Sequence, residues 1–168
     1  MKKILVIAII IMVSMVLHAD PNQTFPDGVA TIQAIDGATM TSSGVKLDTN
    51  GTYQGDWTGL QEAASIWVAS LMQDGAEMTV YLQYDGDLSQ PEGSIRYQFV
   101  HGNDYSFNLA NVTWDTNGNG SITVTWDDTD ENAVILYCPS WGTSIDAVYI
   151  QGVKFTDANG VMHYVDFR

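Results

Sequence analysis

After residue 60, apolar side chains recur at every second position in one segment after another. That spacing lines one face of a β-strand and no single face of a helix, so it restricts the chain to half-buried strands. In Met78-Thr79-Val80-Tyr81-Leu82-Gln83-Tyr84, one face carries Met78, Val80, Leu82 and Tyr84. Thr79, Tyr81 and Gln83 point the other way, which predicts a strand wet on that side. Ser121 to Trp126 repeats the pattern, with Ile122, Val124 and Trp126 on one face. Further strands are predicted at Val29 to Ile35, Ser65 to Ala69, Ser94 to Val100, Ala133 to Cys138, Ile145 to Ile150 and Val161 to Phe167. Glu62-Ala63-Ala64 could open a helix, but the β-branched and aromatic run Ile66-Trp67-Val68 favours a strand there.

Turn residues separate these runs. Asp74-Gly75, Asp85-Gly86, Asn117-Gly118-Asn119-Gly120 and Asn159-Gly160 all tolerate positive φ. The last lies between Val153-Lys154-Phe155-Thr156 and Val161-Met162-His163-Tyr164, which predicts a C-terminal hairpin. No linker, internal repeat or low-complexity block divides the chain. The expected fold is all-β: one antiparallel two-sheet β-sandwich, in jelly-roll order, with an added C-terminal hairpin.

Met1-Lys2-Lys3 followed by the apolar Ile4 to Leu17 and the small Ala19 has the order of a secretory signal peptide. The apolar stretch is short for a membrane span, so cleavage after Ala19 is expected, leaving residues 20–168 as a single domain with no stable span. An uncleaved anchor is the alternative. The expected location is secreted, periplasmic or cell-surface. Lys2 and Lys3 lie in that leader, so only Lys46, Arg96, Lys154 and Arg168 oppose the 20 acidic residues of the domain. Such a surface repels polyphosphate and disfavours nucleic acid, while it suits a divalent cation or a neutral partner. Cys138 is the single cysteine, so no internal disulfide can form, and its apolar run reads as a buried thiol.

Three segments resemble the family-6 and family-35 carbohydrate-binding modules, secreted jelly rolls often attached to polysaccharide-degrading enzymes. They are Ile32-Gln33-Ala34-Ile35-Asp36-Gly37-Ala38, then Ser65-Ile66-Trp67-Val68 with Asp74 to Tyr84, then Ala133 to Cys138 with Ser144-Ile145-Asp146-Ala147-Val148. The likeness runs from about Thr31 to Ile150. Ile35 stands where those modules commonly carry an acid, and Thr143-Ser144 where they carry Pro-Asn. The resemblance implies a glycan-binding domain and a structural calcium site at Asp36 and Asp146, to which Gln33 could add an oxygen.

A neutral sugar offers C–H patches to a flat ring and hydroxyls to amides and carboxylates. The loop Thr49 to Trp57 holds both kinds of group. Tyr53 or Trp57 would stack, Asn50, Gln54 and Asp56 would hydrogen-bond, and Trp141 would complete the platform. Each of these rings could equally be a core plug. Trp67 could face inward or pack under a loop, and Trp114 and Trp126 read as packing across the Asn-Gly hairpin. Asp115, Asn117 and Asn119, ahead of Gly120, match the opening positions of a calcium loop. Trp126 stands where the closing glutamate belongs, so an ordinary hairpin is the competing reading. The acidic run Asp127-Asp128-Thr129-Asp130-Glu131 would be relieved by calcium or by solvent.

Carboxyl pairs such as Asp56 with Glu62, or Asp128 with Asp130, could hydrolyse glycosides only at defined separations, which sequence spacing does not fix. His101 with Asp104 reads as a polar loop, and His163 as a strand-surface residue. No zinc-protease motif, nucleophile elbow or phosphate cradle occurs. The expected function is non-catalytic binding of a neutral glycan or polysaccharide. The alternative is a structural or adhesive surface sandwich, open to self-association, with a glycoside-active enzyme behind both.

Overall fold

The computed structural model describes residues 28–35, 37–48, 62–70, 72–86, 94–99, 108–126, 132–137 and 145–168. These build twelve strands: β1 (Ala30–Ile35), β2 (Thr39–Thr41), β3 (Gly44–Asp48), β4 (Ala63–Val68), β5 (Glu77–Gly86), β6 (Ser94–Phe99), β7 (Asn108–Asn111), β8 (Thr113–Trp114), β9 (Asn119–Thr125), β10 (Ala133–Tyr137), β11 (Ile145–Thr156) and β12 (Met162–Asp166). Among the described residues no helix is long and apolar enough to cross a membrane. The leader and Cys138 lie outside the described residues.

Two antiparallel sheets form the sandwich. One has the order β1-β4-β10-β6-β7, the other β2-β3-β11-β5-β9-β8, with β12 also pairing β11. Within them, β3-β11-β5-β9 faces β4-β10-β6-β7. That interleaving is the jelly-roll order, two Greek keys folded onto each other, as expected. The strands β1, β2, β8 and β12 are additions at its margins.

Alternation decides which residues fill the space between the sheets. Met78, Val80, Leu82 and Tyr84 of β5 are buried, as are Ile122 and Val124 of β9 and Leu136 of β10. Trp126, just past β9, is fully enclosed, and its ring meets Phe99 of the opposite sheet at 4.8 Å. It therefore joins the two sheets rather than packing across its own hairpin. Trp114 does cross that hairpin: an ideal Cβ on Gly120 would stand 2.5 Å from its ring. Beyond Gly120 the Trp114 ring meets Tyr84 edge-on at 4.8 Å. Trp67 lies on the outward side of β4 with its indole N–H buried.

The C-terminal hairpin is present, but its first strand is not separate. β11 runs for 12 residues, through both the Ile145–Ile150 run and the hairpin strand. Ile150 lies opposite Leu82 and Gly152 opposite Tyr81, so Gln151 is an extra residue. This bulge resets the alternation, which is how Ile150 and Val153 can both face the core. β3 pairs with Ala147–Ile150 and β12 with Gly152–Thr156, along the same edge of β11. Gly75, Gly118 and Gly160 have the positive φ their turns require. Asp85-Gly86 is not a turn; β5 continues through Gly86, which pairs with Ile145.

Candidate functional site

The outward face of the seven-stranded sheet brings together aromatic rings, side-chain amides and hydroxyls. Thr79, Tyr81 and Gln83 alternate with the buried residues of β5 and point away from the core, as the sequence predicts. Tyr81 is flanked in register by Gly152 on β11 and Ser121 on β9, neither of which crowds it. On β12, Tyr164 lies opposite Lys154 and is 60% exposed. The Tyr81 and Tyr164 rings meet with centroids 5.7 Å apart and planes tilted by 55°. Beside this pair, Gln151 Nε2 donates to Gln83 Oε1 at 2.8 Å. The bulge thus places an amide at the surface while holding the core in phase.

On the other side of the tyrosines, towards the start of β5, lies a hollow of about 540 Å³. Outward residues of β5 and β11 line it, among them Glu77, Thr79, Lys154 and Thr156. Its rim comes from residues 73–76 and from the β11–β12 turn, which includes Asp157 and Gly160. Gln73 Nε2 donates to the Ala158 carbonyl at 3.1 Å and ties the two rims together. Lys46 pairs with Asp48 and Arg168 with Asp166, whose carboxyl Arg168 holds down at about 2. Neither Lys154 nor Glu77 has such a partner among the described residues. One ammonium and one carboxylate are therefore offered to the hollow.

Asp157 is occupied by its own turn. Its Oδ1 accepts from the N–H groups of Asn159 (2.8 Å) and Val161 (3.0 Å). Its Oδ2 accepts from His163 Nε2 at 2.9 Å. The His163 ring packs beside Phe155, centroid to centroid 5.3 Å, so His163 is half-buried under the hairpin instead of lying free on the strand surface. The His163 hydrogen bond, followed by those from the turn N–H groups, lowers the Asp157 pKa below its ordinary 3.8. A carboxyl with a depressed folded pKa adds stability above its unfolded value and loses it as pH falls through the folded one. Wild type is therefore expected to exceed Asp157→Asn in stability at neutral pH, the gap closing in acid below about pH 3.8. Chemical denaturation at a series of pH values measures this; a gap unchanged from neutral pH into strong acid would refute it.

Among the sugar ligands expected from sequence, Asn50, Tyr53, Gln54, Asp56, Trp57 and Trp141 lie outside the described residues, as does Asp36. Asp146 belongs to β11 by its backbone, with its side chain outside them. Gln33 is exposed on β1, in the other sheet. The Asp115 loop is built as a capped turn. Asp115 Oδ1 accepts from the N–H groups of Asn117 (2.7 Å) and Asn119 (2.9 Å), and Oδ2 accepts from Asn119 Nδ2 (3.1 Å). These donors lower the Asp115 pKa, led by the Asn119 amide. These bonds build the hairpin turn from Asp115 itself. Among the described residues no group of three or more His, Cys, Asp or Glu converges as a metal site. Glu62, once a candidate catalytic acid, accepts from the Asp48 N–H, and burial raises its pKa.

No protein-family model matches the chain, and no curated protein matches it either. The wet side of the Met78–Tyr84 run sets Tyr81 and Gln83 on one face in the sequence itself. The hairpin register, which sequence spacing does not fix, sets Tyr164 beside them.

Proposed function

We propose that this protein is a non-catalytic module that binds a neutral glycan on the outward face of its seven-stranded sheet. The observation carrying this reading is the Tyr81–Tyr164 pair, with Tyr164 exposed and Tyr81 half-buried, set between two polar clusters. Paired rings cover the C–H face of a sugar, and the Gln83–Gln151 amides and the groups of the hollow reach its hydroxyls. Glu77, Lys154 and the Asp157 carboxylate, already engaged by its turn and His163, leave the hollow with charges of both signs within a chain of net charge −14, which suits an uncharged ligand better than an anionic one. Tyr164 stands mostly in solvent, so Tyr164→Ala is expected to leave the fold intact and weaken glycan retention about tenfold. Affinity electrophoresis through gels holding different neutral polysaccharides tests this. Trp141→Ala in the same gels compares the sheet face with the loop residues suggested by the sequence. Equal retardation of wild type and Tyr164→Ala in every gel would reject the sheet face.

A second reading is supported by β12 itself. No strand pairs with its far side among the described residues, and Val161, Met162 and Tyr164 are exposed there. An edge of this kind, without Lys or Pro, suits strand-to-strand assembly in an adhesive or structural protein. Sedimentation across a wide range of protein concentration separates the two readings.

A further inference from the structure

We propose that the hollow receives the end of the glycan chain, and that the tyrosine pair carries the sugars next to that end. This inference rests on the glycan reading above. Its first support is the shape of the face. The Gln73–Ala158 bridge joins the two rims at the start of β5, so a ligand lying along the strands meets a barrier there. In the opposite direction the floor passes to Gly152, Tyr81 and Ser121, where the glycine and serine leave the surface low. From Glu77 to Gln83 the face extends about 20 Å at the usual strand rise, longer than one sugar ring and long enough for several linked ones.

The second support is the distribution of chemistry along that line. A terminal sugar differs from an internal one by the free hydroxyl at its unlinked end, so it presents more polar atoms. Glu77, Lys154, Thr79 and Thr156 gather in the hollow, and no salt bridge holds either charged side chain among the described residues. Asp157 contributes wall and little acceptor capacity, since Oδ1 takes two N–H groups of its turn and Oδ2 takes His163. Internal sugars present mainly their flat faces and a rim of hydroxyls, which matches the rings of Tyr81 and Tyr164 followed by the Gln83–Gln151 amides. Polar groups thus concentrate where the chain would stop, and aromatic surface where it would continue.

The test uses calorimetry on the full chain with cello-, xylo- and manno-oligosaccharides of increasing length. Each is prepared unmodified, with the non-reducing end capped by a methyl ether, and with the reducing end reduced to the alditol. Affinity should rise with length until the strip is filled. One of the two end modifications should weaken binding about tenfold, and Glu77→Gln or Lys154→Gln should remove that discrimination. Equal affinity for free, capped and reduced forms, with Tyr164→Ala still weakening all of them, would overturn end recognition and leave the glycan reading standing. No binding of any series to wild type would overturn both.

Discussion

Trp126→Ala is expected to lower the stability of the protein by about 3–5 kcal/mol, as do other truncations of enclosed large aromatic residues. Trp126 heads the largest fully buried side chains among the described residues, and it touches Phe99 across the interior at 4.8 Å. Truncation would remove apolar burial and leave a void between two sheets whose hydrogen bonds hold them from closing over it. The backbone at this position also matters: Trp126 N–H donates to the Ala76 carbonyl at 2.8 Å, and its own carbonyl accepts from Gly75 N–H at 2.7 Å. Loosening here should reach the residue 73–76 rim of the hollow. Trp126→Phe, which keeps most of the volume, should cost substantially less. Guanidinium denaturation reads both variants. The expected result is a lower midpoint with an unchanged slope for alanine; a shift below about 1 kcal/mol would mean that Trp126 does not tie the sheets together.

That residue shows where sequence reasoning stopped. Alternation identified Trp126 as inward-facing but could not name its partner, because Phe99 belongs to the other sheet. The long, regularly patterned strands β5 and β9 were legible because each has enough alternating positions to outweigh local ambiguity. The glycine turns ahead of β5 and inside both hairpins were legible through φ chemistry alone. β3 was not: only Val45 and Leu47 alternate in it, beside a Ser-Ser-Gly stretch that reads as loop. β2 and β8 are short edge strands with little apolar content, and β7 adds only Leu109 and Ala110 between asparagines. Such strands are specified by the neighbour they pair with. The continuity of β11 was hidden for a different reason. Gln151-Gly152 looks like a break in an apolar run, yet a bulge accepts it without losing the ladder on either side. The candidate site followed the same rule. The outward direction of Tyr81 could be read from β5, while its meeting with Tyr164 depended on three strands in register.

Gly152→Ala is expected to separate that meeting point. Gly152 lies in β11 between β5 and β12, opposite Tyr81 on one side and Asp166 on the other. A methyl group placed there would stand 2.5 Å from the Val165 carbonyl oxygen, which is backbone and cannot rotate aside. β12 would have to shift from β11, straining the ladder that includes the Phe167 N–H to Gln151 carbonyl bond of 2.8 Å. Overpacking of this kind costs about 1–3 kcal/mol. The loss should concentrate in the terminal hairpin, because the clash falls on the β12 backbone, while the pairing of Gly152 with Tyr81 lies on the opposite edge of β11. Hydrogen exchange should consequently accelerate at the β12 amides bonded to β11 while the centre of β5 stays protected. The Tyr81–Tyr164 contact rests on the same spacing, so the glycan retention proposed for this face should fall along with hairpin protection even though both rings remain in the chain. Unchanged exchange in β12, with normal retention, would show that the strand tolerates the added methyl and that the close approach at Gly152 does not set the tyrosine geometry.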